Sequence, residues 1–266
     1  MTTIASYLSI ANDLGRWRSI TAKAPDVALE TKYFKENIGK ATSIEAFLKD
    51  RRLFNYAMKA FGLGDRTFAI GLMRKVMEQG VDDPKALART LNNPNILAFA
   101  KAFDFSAKGA GVPSATLIQD VTARFVEQAM QAEQGKRNPG VELALYFREK
   151  APGLTSIYGV LADKKLVQVV QTALDISPRT SAQNIDTQAR LLKAKVNVED
   201  FKDPKKLTAF IARFSAMYDM QNQGTVSSAT ASSNAILYGA SLLGSDGPVG
   251  VDFSLILRLQ NANRLM

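Results

Sequence analysis

Tyr33-Phe34-Lys35-Glu36, followed by Thr42-Ser43-Ile44, Leu48, Asp50 and Leu53, returns 113 positions later as Tyr146-Phe147-Arg148-Glu149, Thr155-Ser156-Ile157, Leu161, Asp163 and Leu166. Nine of the 21 paired positions from 33 to 53 are identical without a gap, where average composition gives about one. Asp83-Pro84-Lys85-x-Leu87 returns as Asp203-Pro204-Lys205-x-Leu207, now 120 positions apart. Self-similarity of this kind governs how a fold is read. It predicts one helical unit used twice, with about seven residues inserted in the second copy. The expected divisions are 1–110 for the first unit, 111–220 for the second, and 221–266 for a linker with a C-terminal amphipathic segment.

Helical periodicity runs through most of the chain. Ile4, Tyr7, Leu8, Ala11, Leu14 and Trp17 make one apolar stripe over 4–17. Thr42 reads as an N-cap with Glu45 reaching back, and Thr155 as its counterpart. The face Leu53, Tyr56, Ala57, Ala60 and Phe61 marks an amphipathic helix punctuated by Gly62 and Gly64. A helix follows over 68–79. Asp83-Pro84 reads as a cap followed by proline at the first helical position, Asn93-Pro94 restarts the chain, and Asp203-Pro204 opens the last helix of the second unit. Ser106 to Pro113 is the expected boundary between units, with the second unit starting near Ser114. Asn138-Pro139-Gly140 reads as a turn. The stretch 249–259 alternates strictly, as a strand does. Yet Phe253, Leu255, Ile256, Leu259 and Met266 can share a helix face, and helix is the preferred reading. The expected fold is all-α: two similar multi-helix units in tandem, elongated, with a C-terminal tail helix.

Chemistry is bounded by what the 266 residues lack. There is no Cys and no His. That removes disulfides, thiolate nucleophiles, common zinc sites and the Ser-His-Asp triad. Catalysis would have to use carboxylates, Lys, Tyr or an oxygen-ligated metal. No catalytic residue, cofactor or metal is assigned, and an enzyme is not the expectation. Gly62-Leu63-Gly64 follows a helix rather than a strand, so it lacks the context of a nucleotide loop. Glu36 and Glu149 could form a carboxylate pair on a cation. The preferred reading of the repeated string is an aromatic pair docked in each core, because each copy has the same packing problem to solve.

The net charge is +9. Residues 1–110 hold 17 Lys/Arg against 11 Asp/Glu, residues 111–220 hold 15 against 12, and the remainder 2 against 2. The excess is spread out with mixed signs, so nucleic acid is not the expected partner. No run is long enough for a transmembrane helix. Met1-Thr2-Thr3-Ile4 lacks the pattern of a secretory signal. The expected location is cytoplasmic by default, with flagellar association or export without a cleaved signal left open.

Phe47-Leu48-x-Asp50-x-Arg52-Leu53-x-x-Tyr56-Ala57-Met58-Lys59-Ala60-Phe61-Gly62-Leu63 resembles the signature of a bacterial family of unknown function. Its members are often encoded beside flagellar basal-body genes. Asn37-Ile38-Gly39-Lys40, Met73-Arg74-Lys75-Val76 and Gly80-Val81-x-Asp83-Pro84 fit the same pattern. The resemblance covers residues 1–220 and is strongest over 33–105. It implies a non-enzymatic, flagellum-associated structural or assembly role through protein–protein contacts, with a flagellar component as partner. It carries no catalytic residues. The absence of Cys is similar to exported flagellar parts, although no rod-and-hook signature stands at the N-terminus. Phe253, Leu255, Ile256, Leu259 and Met266 are the candidate partner-binding residues. A homo-oligomer through the terminal helices is an option. The alternative function is a basic helical protein that binds anionic surfaces, membrane or nucleic acid.

Overall fold

A computed structural model of the chain describes residues 1–103 and 114–222. Among the described residues it contains fourteen α-helices, five short 3-10 segments and no strand. In the first half these are α1 (Thr3–Ala11), α2 (Leu14–Ala22), α3 (Pro25–Asn37), α4 (Ile44–Lys49), α5 (Arg51–Ala60), α6 (Ile70–Gln79), α7 (Leu87–Thr90) and α8 (Pro94–Ala102). In the second half they are α9 (Ala115–Arg137), α10 (Pro139–Lys150), α11 (Ile157–Leu161), α12 (Lys164–Ala173), α13 (Ile185–Lys193) and α14 (Pro204–Asn222). The fold is all-α. The predicted boundary stretch 106–113 and the segment 223–266, with its helix-or-strand alternative, lie outside the described residues.

The order helix, 3-10 turn, short helix, amphipathic helix recurs in both halves: α3, Ile38–Lys40, α4 and α5, then α10, Ala151–Gly153, α11 and α12. Asp50 caps α5 by accepting from the amides of Arg52 (3.1 Å) and Leu53 (3.0 Å). Asp163 caps α12 in the same way, through Lys165 (2.9 Å) and Leu166 (3.3 Å). Each cap satisfies amides that the helix start leaves unpaired. The far ends match too. At α5, Leu63 N donates to Met58 O at 2.8 Å and Gly62 N to Lys59 O at 3.0 Å. At α12, Ile176 N donates to Gln171 O at 2.8 Å and Asp175 N to Thr172 O at 3.2 Å. Both are Schellman ends. The residue in the left-handed region is Gly62 in one (φ 71°) and Asp175 in the other (φ 52°).

Two apolar cores result. One gathers Phe34, Phe47, Leu53, Phe54, Tyr56, Met73, Val76, Ile96, Phe99 and Phe103. Its rings stack, Phe47 on Phe103 at 4.9 Å and Tyr56 on Phe125 at 3.9 Å between centroids. The other gathers Val141, Tyr146, Phe147, Leu166, Val169, Phe201, Ile211 and Phe214. Here Phe147 meets Phe201 edge-on at 5.0 Å. Chain order is not core order. Ile4, Tyr7 and Ile10 of α1 belong to the second core. Val121, Phe125 and Val126, from the first half of α9, belong to the first, while Met130 of α9 belongs to the second. At 23 residues α9 is about 35 Å long, enough to run through both.

Thr3 is fully buried and ties α1 to the end of α14. Its amide donates to Asp219 Oδ2 at 2.9 Å and its hydroxyl to Asp219 Oδ1 at 2.5 Å. Asn138 Nδ2 donates to the same hydroxyl at 3.0 Å. Gly140 lies against this junction. A Cβ there would stand 2.6 Å from Tyr218 Cδ1 and 2.9 Å from Thr3 Oγ1, so only glycine lets α10 approach this closely.

Several local expectations are corrected. The stripe over 4–17 is two helices, because the Asp13 carboxylate accepts from Arg16 N at 3.1 Å and starts α2. Ser43, not Thr42, caps α4, accepting from Ala46 N at 3.1 Å. Glu45 turns instead to Arg74, at 2.8 Å. Ser156 rather than Thr155 holds the N-cap position of α11, with no side-chain bond. Asn138-Pro139-Gly140 opens α10 rather than making a turn, with Asn138 as the cap and Pro139 at the first helical position. Asp83 and Asp203 both accept from the amide two residues on, at 2.8 Å. Only Asp203 starts a long helix, since Ala86 is extended (ψ 144°) and delays α7 to Leu87. Phe68 precedes α6 and is 78% exposed.

The unequal Schellman ends give a direct test. Asp175→Gly removes a non-glycine residue from the left-handed region and is expected to stabilise the protein by about 1 kcal/mol. Gly62→Ala is expected to destabilise it by at least as much, because its new Cβ also meets Asn95 Nδ2 at 3.3 Å. Urea unfolding midpoints, with unchanged slope, read both changes.

Candidate binding cleft at the seam of the two cores

The aspartates that cap α5 and α12 use their second oxygen for a phenol 17 residues upstream. Tyr33 donates to Asp50 Oδ2 at 2.9 Å, and Tyr146 to Asp163 Oδ2 at 2.5 Å. The two copies then diverge. Tyr33 is half-buried, with the Arg52 guanidinium 4.0 Å above its ring. Tyr146 is only 2% exposed, and its oxygen also accepts from Asn95 Nδ2 of α8 at 3.1 Å. This bond crosses from the first core to the second. Burial, then the Asp163 charge and the hydrogen bond to it, push the Tyr146 phenol far above its ordinary range.

A buried polar belt lies beside it on α9. Arg18 of α2 donates to Glu127 Oε2 at 2.6 Å. Gln131, 1% exposed, donates through Nε2 to Glu127 Oε1 at 3.2 Å and to Glu149 Oε2 at 2.7 Å. Gln128 reaches the same Glu149 oxygen at 3.2 Å, and Lys150 pairs with the other at 2.8 Å. Buried polar groups held this way fix one register between helices, since any slip leaves them unpaired at a cost.

The seam opens into a cleft of about 1090 Å³, bordered by α2, α3, α9 and the starts of α10 and α12. That is above the roughly 300–1,000 Å³ of small-molecule pockets. Trp17 and Ile20 of α2, Val27 and Phe125 supply apolar lining. No residue of α2 is buried, and Ile20 is 51% exposed. Three carboxylates of the lining have a cation partner: Glu30 with Arg52 at 3.0 Å, Glu133 with Lys136 at 2.8 Å, and Glu142 with Lys165 at 2.6 Å. A lining that mixes apolar and charged side chains over this volume suits an amphipathic segment.

Phe253, Leu255, Ile256, Leu259 and Met266 lie outside the described residues. Glu36 and Glu149 do not share a setting: Glu36 is exposed with Lys32 at 3.9 Å, while Glu149 belongs to the belt. Phe34 and Phe147 are fully buried in their own cores, as expected of docked aromatics. Among the described residues no group of three or more acidic side chains is placed to hold a metal ion. No described helix is long and apolar enough to cross a membrane. Sequence reasoning missed Asn95 and the Glu127–Gln131–Glu149 belt. It also missed the phenol–carboxylate bond, although the repeated 17-residue spacing was visible.

Two consequences follow for the phenols. Tyr146→Phe strands Asn95 Nδ2 and is expected to cost about 1–3 kcal/mol, against about 0.5–1.5 for the more exposed Tyr33→Phe. Burial pushes the Tyr7 phenol up to about 12, opposed in part by Arg148. A phenol raised in the folded state contributes stability that is complete below its unfolded value near 10. That contribution is lost as pH rises through the folded value. Unfolding midpoints are therefore expected to fall from about pH 10 to pH 12, and Tyr7→Phe is expected to flatten the fall.

The chain is similar to a solved structure from Agrobacterium tumefaciens, a crystal structure from a structural genomics effort. The two are 38% identical with a TM-score of 0.75, over 83% of this chain and 94% of that one. No curated protein matches the chain. Residues 60–207, which run from the end of α5 to the start of α14, match the family described as protein of unknown function, DUF1217, and the chain belongs to that family.

Proposed function

We propose that this protein is a non-enzymatic structural or assembly factor that acts by binding another protein, and that its setting is the bacterial flagellum. The observation that carries the binding role is the seam cleft. Its wall is a helix without a buried residue, bearing an exposed Ile20 beside the half-buried Trp17. A surface helix that rests Leu14 and Trp17 on the second core and presents Ile20 to a groove is a ready contact for a partner's amphipathic segment. The flagellar setting rests on the sequence resemblance to a family encoded beside basal-body genes.

A second reading, binding to anionic surfaces, rests on the +9 net charge. It requires affinity that weakens steeply with salt.

Swimming and flagellar staining of a strain lacking the gene, beside one carrying Ile20→Asp, test the first reading. Ile20 is exposed, so this variant is expected to fold with stability changed by less than about 0.5 kcal/mol. Absent or stunted flagella in the deletion, with the same defect at reduced penetrance in Ile20→Asp, is the expected result. Normal flagella and normal swimming in the deletion would overturn the flagellar setting. A defect in the deletion with full function in Ile20→Asp would remove the cleft from the account.

A further inference from the structure

A second groove, of about 910 Å³, is formed by α12, the Pro178–Ala182 turn, the start of α13 and the last turn of α14. Leu161, Val167, Ile176, Ile185 and Tyr218 give it an apolar lining, and Lys164 and Asp175 are its charged residues. Ile185 is 52% exposed, on a helix whose Ala189 and Leu192 are in the second core. Val167 packs on that core with one face and lines the groove with the other. An isoleucine held half-exposed beside a groove of this size is apolar surface without a partner among the described residues.

What fits it is indicated by where the described chain stops. Tyr218, Gln221 and Asn222 form part of the groove wall. The described part of the chain therefore ends at the groove itself. Residues 223–266 follow, and their last fourteen carry the apolar stripe Phe253, Leu255, Ile256, Leu259 and Met266. The thirty residues between, 223–252, can span up to about 100 Å when extended, so reach does not limit a return. Tethering also removes most of the entropic cost. A linked segment works at an effective concentration on the order of 1 mM, so even weak apolar contacts hold it.

We propose that residues 253–266 dock in this groove of their own chain, which covers their apolar stripe until a partner displaces them. The groove acts as a holster, and the segment is offered to other proteins only in competition with it. Neither the flagellar setting nor the seam cleft is needed for this.

The absence of Cys makes a clean test in the full chain. Gln168, exposed on α12 in the groove lining, is replaced in Gln168→Cys and combined with Ser254→Cys. The control pairs Ser254→Cys with Lys35→Cys, on the exposed side of α3. Under mild oxidation the groove pair is expected to close within the monomer at least tenfold faster than the control. Adding Ile185→Asp is expected to abolish that difference. Hydrogen exchange on the cysteine-free chain gives a second reading, with amide protection over 253–266 that drops at least tenfold in Ile185→Asp. Equal rates for the two pairs, or absent protection, would overturn the proposal. A covalent dimer in place of the closed monomer would overturn it too, by making the occupant a second copy. Motility defects of the deletion strain stand or fall separately from all of these outcomes.

Discussion

Each repeated unit depends on one carboxylate with two obligations. Asp50 and Asp163 each turn one oxygen to the first amides of a helix and the other to a phenol 17 residues earlier. A cap alone fixes a helix start. A cap whose second oxygen is also claimed fixes the direction of that helix relative to the one carrying the tyrosine. Phe34 and Phe147 are set one residue beyond the tyrosines and so are delivered into the core by the same bond. The hydrophobic term supplies most of the energy here, at about 25 cal/mol per Å² of buried apolar surface, but it is indifferent to direction. The phenol–carboxylate bond supplies the direction.

The two copies show how one device acquires a second use. In the first, the tyrosine stays near solvent and takes a guanidinium over its ring. In the second, deeper burial of Tyr146 makes room for Asn95 to join from the other core. Gly62 passes close to Asn95 and Gln128, so the end of α5 abuts the same spot. The α9 belt then sets how far the cores can slide. Together these leave the cores in one arrangement, with the cleft as the space their convex surfaces do not fill.

The all-helical class, the proline-opened helices α8 and α14 and the Gly62 cap were legible because each depends on neighbours in sequence. Asp13 shows the limit. A polar residue inside an apolar stripe reads as a solvated helix position, and only the geometry reveals that its side chain stops one helix and starts the next. Asp175 shows another. Its identity is a weak mark, since Asp enters the left-handed region more readily than most residues yet seldom, although alignment with Gly62 across 113 positions would have found it. Of the seam, Tyr146 and Asp163 were visible as repeated letters. Asn95, Glu127 and Gln131 were not, because their partners are distant in sequence and polar residues on a helix are ordinarily exposed. The apolar wall of the cleft was half visible, since Trp17 was in the stripe and Ile20 was not.

The Thr3–Asp219 junction joins groups 216 residues apart. At about 5–20 residues per second, a ribosome takes roughly 10–40 s to make that interval. For all of it Ile4, Tyr7 and Ile10, which belong to the second core, have no finished core to enter. Made long before the core it joins, α1 is thus among the last of the helices to be seated, and its apolar face stays unclaimed until α14 follows.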